Sequence, residues 1–299
     1  MRRLIAVDWG TSSLRGALLD ADRLVLDEIS VPAGILTVAA GDFAAVFEQH
    51  FGAWMAQPGA LALICGMAGS RQGWREAPYC ACPAGFGDLA SRLLWVTADR
   101  IALVPGLSCE ENSVPDVMRG EETQVFGALD LLGLADAQLV LPGTHSKWVQ
   151  VRAGKITGFR TFMTGELYGL LRTHSILART LPPTDGELDV DAFERGLVHA
   201  RDSASLLHAA FSARTLSLFE RLPATSMPSY LSGLVIGEEL RAQTLAASGL
   251  PLVLIGAPAL TARYRLALAS RGLAAQCVGT EASWRGLDAI ARQLSERSP

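Results

Sequence analysis

Short apolar runs broken by glycine-rich turns alternate along this chain with stretches of helical apolar spacing. Leu4–Asp8 is an apolar run ending in an acid, followed by the turn-forming Trp9-Gly10-Thr11-Ser12-Ser13. Leu14–Asp20 and Leu24–Val31 read as two more strands, joined near Ala21-Asp22. Apolar residues at 43, 46, 47, 51 and 54 follow helical spacing and predict a helix over Phe43–Met55. Leu61–Cys65 returns as a buried strand, residues 66–88 read as an elaborated loop, Ile101–Val104 as a strand and Gly106–Pro115 as an irregular connector. From Gly120 a helix runs to about Leu132. Strands at Gln138–Leu141, Lys147–Arg152 and Lys155–Thr161 follow, then helical segments over 166–178, 189–219 and 229–247. Strand Leu252–Ile255, helix Ala259–Arg271, strand Ala274–Cys277 and helix Ser283–Ser295 close the pattern. This alternation is that of an α/β protein.

One stretch is echoed by another. Ile5-Ala6-Val7-Asp8 enters Gly10-Thr11-Ser12-Ser13, and Leu139-Val140-Leu141-Pro142 enters Gly143-Thr144-His145-Ser146; two strands follow each. The shared strand–turn–strand–strand context suggests duplicated lobes facing one another. A Gly-Thr-x-Ser turn offers backbone N–H groups and two hydroxyls, which suits phosphate oxygens. Asp8, at the end of its strand, is then placed to hold a phosphate-bound Mg²⁺ through water. Read without that chemistry, each segment is an ordinary turn between strands.

Composition narrows the class. The 299 residues are 49% hydrophobic and 19% charged, with a net charge of −4. No basic stripe exists to grip nucleic acid or an anionic membrane. Two stretches without charged side chains, 51–70 and 242–262, are broken by Gln57-Pro58-Gly59 and by Gly249, Pro251, Gly256 and Pro258, so neither reads as a membrane span. The opening Met1–Asp8 is too short in apolar residues for a signal peptide, and five cysteines without a C-x-x-C pair fit a reduced, cytoplasmic protein. A P-loop, a G-x-S-x-G elbow and an H-E-x-x-H helix are all lacking; Gly85–Ala90 matches G-x-G-x-x-A but follows no strand.

The remaining polar clusters suit phosphoryl transfer to a sugar acid. Ser70, Arg71 and Gln72 sit in a glycine-flexible segment, and Arg71 is a candidate clamp for a carboxylate, the alternative being a solvated loop arginine. Glu121 and Glu122 open a helix, where acids complement the dipole; they are also the candidates to accept a hydroxyl proton. Thr164 and Glu166 follow a strand and are candidates to line the same cleft, with an N-cap and first-turn role as the alternative. His145 and Lys147 flank the second turn, Lys147 as a phosphate ligand or as a plain strand lysine.

Asp8-Trp9-Gly10-Thr11, Ser70-Arg71-Gln72-Gly73-Trp74, Met118-Arg119-Gly120-Glu121-Glu122-Thr123-Gln124, Pro142-Gly143-Thr144-His145-Ser146-Lys147-Trp148 and Phe162-Met163-Thr164-Gly165-Glu166 together resemble the 2-dehydro-3-deoxygalactonokinases, along nearly the whole chain. Ser12-Ser13 departs from the Thr-Asn more usual there. The resemblance implies the two-lobed actin/Hsp70/sugar-kinase (ribonuclease H-like) fold with ATP and Mg²⁺ in a cleft. An N-terminal lobe over 1–118, with helix 283–295 packing back on it, would face a C-terminal lobe over 119–299. The first phosphate motif falls on Asp8–Ser13, the second on Pro142–Lys147 (Gly143, Thr144, His145, Ser146 and Lys147 as ligands) and the adenosine motif on Leu254-Ile255-Gly256-Ala257-Pro258, with Gly256 and Ala257 against the nucleotide. The implied reaction is ATP-dependent phosphorylation of the 6-hydroxyl of 2-dehydro-3-deoxy-D-galactonate in D-galactonate breakdown, with Glu121 or Glu122 as base. The C4-epimeric acid, a non-catalytic ATP- or sugar-sensing role and a phosphohydrolase of the same fold stand as alternatives. A homodimer is the expectation for a sugar kinase of this kind.

Overall fold

The structure, a computed structural model, describes residues 3–243 and 249–295; residues 1–2 of the opening segment and 244–247 of the helix expected over 229–247 lie outside the described residues. Two compact units divide the chain. Unit 1 is Met1–Leu139, Val149–Arg160 and Val278–Pro299; unit 2 is Val140–Trp148 and Thr161–Cys277.

Unit 1 is built on a six-stranded sheet. Its strands are β1 (Leu4–Trp9), β2 (Leu14–Leu19), β3 (Val25–Val31), β4 (Leu61–Cys65), β6 (Leu94–Thr97) and β7 (Ile101–Leu103), in the order β3-β2-β1-β4-β7-β6. β1 pairs antiparallel with β2 and parallel with β4, so it is central, and every residue of it is buried. β3 lies at an edge and is largely exposed. Helix α1 (Phe43–Met55) lays Phe43, Phe47, Phe51 and Trp54 on this sheet. Their rings join Trp9 and Trp74, with centroids 5.4 Å apart for Trp9–Phe43 and 5.6 Å for Phe47–Trp74. Such pairs add about 0.5–1.5 kcal/mol each beyond the area they bury. Trp9 also donates its indole N–H to the Ala33 carbonyl at 2.9 Å, so the residue beside the first turn is fixed at both ends.

Residues 106–115 are not an irregular connector. They form β8 (Gly106–Glu111) and the start of β9 (Val114–Met118), an antiparallel pair joined by β5 (Tyr79–Ala81) in a three-stranded sheet. The turn between β8 and β9 is Asn112-Ser113, both with positive φ (52° and 63°), the mirror-type geometry that matches strand twist. The turn lacks the glycine that most often marks such a hairpin. The segment 66–88, read as loop, also contains a 3₁₀ turn at Met67–Gly69 and the start of α2 (Phe86–Ala90).

A five-stranded sheet carries the second half of the chain: β10 (Ala137–Leu141), β11 (Ser146–Arg152), β12 (Lys155–Phe162), β13 (Leu252–Ile255) and β14 (Gln276–Val278), ordered β12-β11-β10-β13-β14. The order β3-β2-β1-β4 recurs as β12-β11-β10-β13, the repeat that the two Gly-Thr-x-Ser turns foreshadow. Unit 2 holds α4 (Thr164–His174), α5 (Val190–Asp202), α6 (Leu206–Ala209), α7 (Ser212–Leu218), α8 (Met227–Arg241) and α9 (Pro258–Ala269). Met163, not Thr164, occupies the N-cap position of α4. Helix α8 is buried on nearly every side, and its apolar residues enter two clusters: Ile236 and Leu240 with the sheet, Tyr230, Leu231 and Leu234 with α5 and α7. No helix among the described residues is long and apolar enough to cross a membrane.

Two helices of unit 1, α3 (Glu121–Leu132) and α10 (Glu281–Ser295), pack closely. A Cβ on Gly127 would fall 1.8 Å from the Ala282 carbonyl oxygen, and one on Gly286 would fall 1.8 Å from that of Thr123. Both obstructions are backbone, so the helices themselves must move apart to admit a methyl group. We expect Gly127→Ala and Gly286→Ala each to destabilise unit 1 by about 1–3 kcal/mol or more. A urea midpoint unchanged in either variant would refute the close crossing.

Candidate functional site

In unit 1 three backbone segments meet beside Asp8. Asp8 follows the buried apolar run of β1 and lies opposite Arg15 in the β1–β2 register; the two side chains form an ion pair. The Ser283 hydroxyl approaches the same carboxylate at 3.4 Å. Gly66, just after β4, has φ +88°, and a side chain there would meet the Trp9 carbonyl oxygen at 2.8 Å and Asp8 Oδ1 at 3.3 Å. Gly120, before α3, has φ +105°, and its own Cβ would sit 3.0 Å from Gly66 Cα. Only glycine satisfies both the positive φ and the close approach at these positions.

The first turn is tightly closed. Gly10 N–H donates to the Ser13 carbonyl at 2.9 Å, while Ile35 and Leu36 donate their N–H groups to the Gly10 and Thr11 carbonyls. This leaves Thr11 and Ser12 exposed, with Ser13 partly so. The hydroxyl face expected of a phosphate-binding turn is open to solvent.

At the start of α3 the two acids differ sharply. Glu122 is fully buried, and both its carboxylate oxygens accept from Gly120 N–H, at 2.9 and 2.8 Å. Burial, together with the charge of Glu121, pushes its pKa up to about 8. Glu121 is partly exposed and accepts from Arg119 N–H at 2.9 Å. The side chain of Arg119 is buried, donates to the Ala77 carbonyl at 2.8 Å and lies over the Tyr79 ring at 4.3 Å.

The expected acid-binding trio is dispersed. Ser70 is buried, whereas the Arg71 side chain is 82% exposed and lies 3.6 Å from Glu76 in an exposed ion pair. Arg71 and Gln72 line a pocket of ≈ 500 Å³ with Phe43, Trp74 and Arg75, and neither Asp8 nor Glu121 belongs to that lining.

Unit 2 presents a second pocket, of ≈ 230 Å³. Its lining takes Gly143 and Thr144 from the second turn, Thr164, Gly165 and Tyr168 from α4, Ile236 from α8, and Leu260, Arg263 and Tyr264 from α9. The turn and α4 touch directly: a Cβ on Gly165 would lie 2.5 Å from the Gly143 carbonyl oxygen, and Glu166 N–H donates to the Thr144 carbonyl at 3.0 Å. His145 and Glu166 form an exposed pair beside it. Gly256 and Ala257 follow β13, and a Cβ on Gly256 would stand 3.6 Å from the Pro142 carbonyl oxygen.

Ser146 and Lys147 do not face solvent. The Lys147 ammonium donates to Thr161 Oγ1 at 2.8 Å. Ser146 donates to Glu239, a residue of α8 that the sequence gives no reason to single out. Trp148, Thr164 and Tyr264 donate to the same carboxylate. The signal that points to Glu239 is its place in a helix otherwise apolar on nearly all sides, visible only once the helix is known to be central.

Residues 8–290 match the family model described as 2-keto-3-deoxy-galactonokinase. A Rhizobium meliloti (strain 1021) protein provisionally named a 2-dehydro-3-deoxygalactonokinase is 39% identical over 296 residues, 97% of this chain and 96% of its own. The 2-dehydro-3-deoxygalactonokinase of Escherichia coli (strain K12) is 35% identical, covering 98% and 99%. A crystal structure from Sinorhizobium meliloti, provisionally assigned the same name, superposes with a TM-score of 0.88 at 37% identity, covering 98% of this chain and 99% of that one. More distantly, the activator of a 2-hydroxyisocaproyl-CoA dehydratase from Clostridium difficile, solved with bound ADPNP, shares the fold at TM-score 0.51 and 12% identity. The same fold is shared, at a TM-score of 0.50 and 16% identity, with a Porphyromonas gingivalis protein provisionally named an N-acetylglucosamine kinase.

Burial of Glu122 has a consequence for stability. Its folded pKa, about 8, lies above the ordinary glutamate value, so between about pH 4.3 and pH 8 the folded chain binds a proton that the unfolded chain has released. The contribution is fully present below the lower value and is lost as pH rises toward the upper one. Glu122→Gln mimics the protonated form, and we expect its urea stability to gain on the wild type from pH 5 to pH 8. A constant difference between the two proteins across that range would refute this.

Proposed function

The chain belongs to the 2-keto-3-deoxy-galactonokinase family, and from that premise we propose that it transfers the γ-phosphoryl group of ATP to the 6-hydroxyl of 2-dehydro-3-deoxy-D-galactonate. We place this step in the breakdown of D-galactonate in the cytoplasm. Identity of 35–39% across nearly the full length of both named relatives is the observation that carries the reading.

The residues present suit both a nucleotide and its metal. Mg²⁺ takes one or two carboxylates and completes its shell with water and substrate phosphates, so the single carboxylate of Asp8 is sufficient. When bound, the ion neutralises charge on the β- and γ-phosphate oxygens. On unit 1, the exposed hydroxyls of Thr11 and Ser12 and the backbone N–H groups of Thr11–Ser13 are the ligands for phosphate oxygens. On unit 2, Gly143 and Thr144 play that part, His145 stands at the rim, and Ser146 and Lys147 support the turn from below. The adjoining pocket, with Leu260, Ile236 and Arg263 in its lining, has the apolar walls and the size to take much of a nucleoside. Gly256 brings backbone without bulk beside Pro142, and Ala257 follows it.

Phosphoryl transfer needs a group that takes the proton of the attacking hydroxyl. The bond from O6 to the γ-phosphorus forms as the bond to the β,γ-bridging oxygen breaks, ADP leaves, and the hydroxyl proton passes to a carboxylate. We assign that role to Glu121. Its carboxylate is partly exposed, whereas that of Glu122 is turned onto the N–H of Gly120 and shut away from solvent. Arg71 and Gln72, which line one pocket of unit 1, are the side chains proposed for the acid substrate. Arg71 must give up Glu76 to meet a carboxylate, an exchange that costs little for an exposed pair.

Incubation with Mg-ATP and each C4-epimeric acid, followed by ADP assay and product mass, tests the assignment. We expect ADP formation that depends on the galacto acid and a product heavier by one phosphoryl group. ADP released equally without acid would identify a phosphohydrolase, and binding without turnover would identify a sensor. Glu121→Gln is expected to lower kcat by about 10²–10⁴-fold, with Glu122→Gln losing much less. Near-full turnover in Glu121→Gln would overturn the choice of base.

A further inference from the structure

Behind Thr164 and Tyr264, two residues of the unit 2 pocket lining, lies a carboxylate held by neutral donors. Glu239 is 2% exposed, and each of its oxygens receives two hydrogen bonds. Oε1 accepts from the Ser146 hydroxyl at 2.8 Å and the Trp148 indole N–H at 2.6 Å. Oε2 accepts from the Thr164 and Tyr264 hydroxyls, the latter at 2.6 Å. Burial and the charge of Glu239 hold the Tyr264 phenol well above its usual pKa, so it remains a donor. Taking a carboxylate out of water is costly, and neutral donors on both oxygens are what offset it here.

The origin of these four donors matters more than their number. Ser146 ends the second turn and Trp148 lies on the strand after it; Thr164 is the first residue of α4, Tyr264 belongs to α9, and Glu239 itself to α8. Of these, the second turn, α4, α8 and α9 line the adjoining pocket, where Thr164 and Tyr264 appear again. We propose that Glu239 is a positioning residue for nucleotide binding, holding the Gly143–Ser146 turn, the start of α4 and α9 in one fixed arrangement around the pocket.

Two hydroxyls that sequence reasoning offers to a ligand, those of Ser146 and Thr164, are on this account parts of the support. They orient the Gly143-Thr144 backbone and the first turn of α4, and these make the contacts. Glutamine at position 239 keeps the size and removes the charge. The Thr164 and Tyr264 hydroxyls can rotate to accept from its amide, so the shell stays paired but loses the single direction that a carboxylate imposes.

This inference rests on the reading of the unit 2 pocket as a nucleotide site, and the experiment separates the two. Calorimetric titration with Mg²⁺ and a non-hydrolysable ATP analogue gives Kd for the wild type and Glu239→Gln; KM for the sugar acid and the thermal midpoint are measured on the same samples. We expect the analogue Kd to rise about tenfold, the loss equivalent to one hydrogen bond to a charged group, with the sugar-acid KM within about twofold. A lower thermal midpoint with unchanged analogue affinity would reduce Glu239 to a structural role and overturn the proposal. Equal losses toward both substrates would do the same. If the wild type itself fails to bind the analogue, the nucleotide reading falls and the positioning role falls with it. Should Glu239→Gln not fold, Trp148→Phe removes one donor alone; an analogue Kd raised about threefold supports the proposal, and no change refutes it.

Discussion

A buried carboxyl group must be met by hydrogen-bond donors that the fold itself supplies, and each unit holds one such glutamate. In unit 1 the donor is the backbone N–H of Gly120, which Glu122 grips with both oxygens. The grip fixes the entry to α3 where Gly120 passes Gly66, which itself lies against Trp9 and Asp8. In unit 2 four side-chain donors surround Glu239. Neither acid is free to adopt another rotamer without leaving donors unpaired, so each fixes the segments that reach it.

Repetition extends beyond the strand order. Each unit packs one pair of helices through glycines that bring backbones into contact: Gly127 and Gly286 join α3 to α10, while Gly196 and Gly233 join α5 to α8. A Cβ on Gly196 would lie 2.2 Å from the Tyr230 carbonyl oxygen. Where the copies differ, the difference concerns the turns. The first is closed by backbone hydrogen bonds from Ile35 and Leu36 and leaves its hydroxyls in solvent. The second sends its last serine inward to Glu239 and keeps Gly143 and Thr144 at the surface. One sequence pattern thus yields an outward hydroxyl face in one unit and an anchored backbone loop in the other.

The elements legible in the sequence are those whose signal is local. The apolar spacing of α1 places Phe43, Phe47, Phe51 and Trp54 where the structure buries them, and the two Gly-Thr-x-Ser echoes mark the duplicated strand order. The β8–β9 hairpin escapes because its turn residues, Asn112 and Ser113, adopt positive φ without glycine. Glu239 escapes for another reason. Glu238-Glu239-Leu240-Arg241 reads like a solvated helix end, and indeed Glu238 pairs with Arg241 in solvent while its neighbour points into the core. The same limit applies to Ser70, Arg71 and Gln72: adjacency in sequence does not place one buried hydroxyl and two exposed side chains in one site.

For a chain of net charge −4, binding an anionic acid and a polyphosphate raises the question of where positive charge comes from. The basic side chains nearest the two turns are already engaged: Arg15 with Asp8, Lys147 with Thr161. Arg119 is buried under the ring of Tyr79 and donates to a backbone carbonyl. Under the proposed kinase reaction, phosphate is therefore met chiefly by backbone N–H groups of the glycine turns and by Mg²⁺ beside Asp8, with Arg71 the exposed guanidinium left to find a carboxylate. Backbone donors are fixed in direction by the turns that carry them and need no reorganisation when charge moves from the γ-phosphate to the leaving ADP. Their precision then depends on how firmly each turn is held, by Ile35 and Leu36 in one unit and by the Glu239 shell in the other.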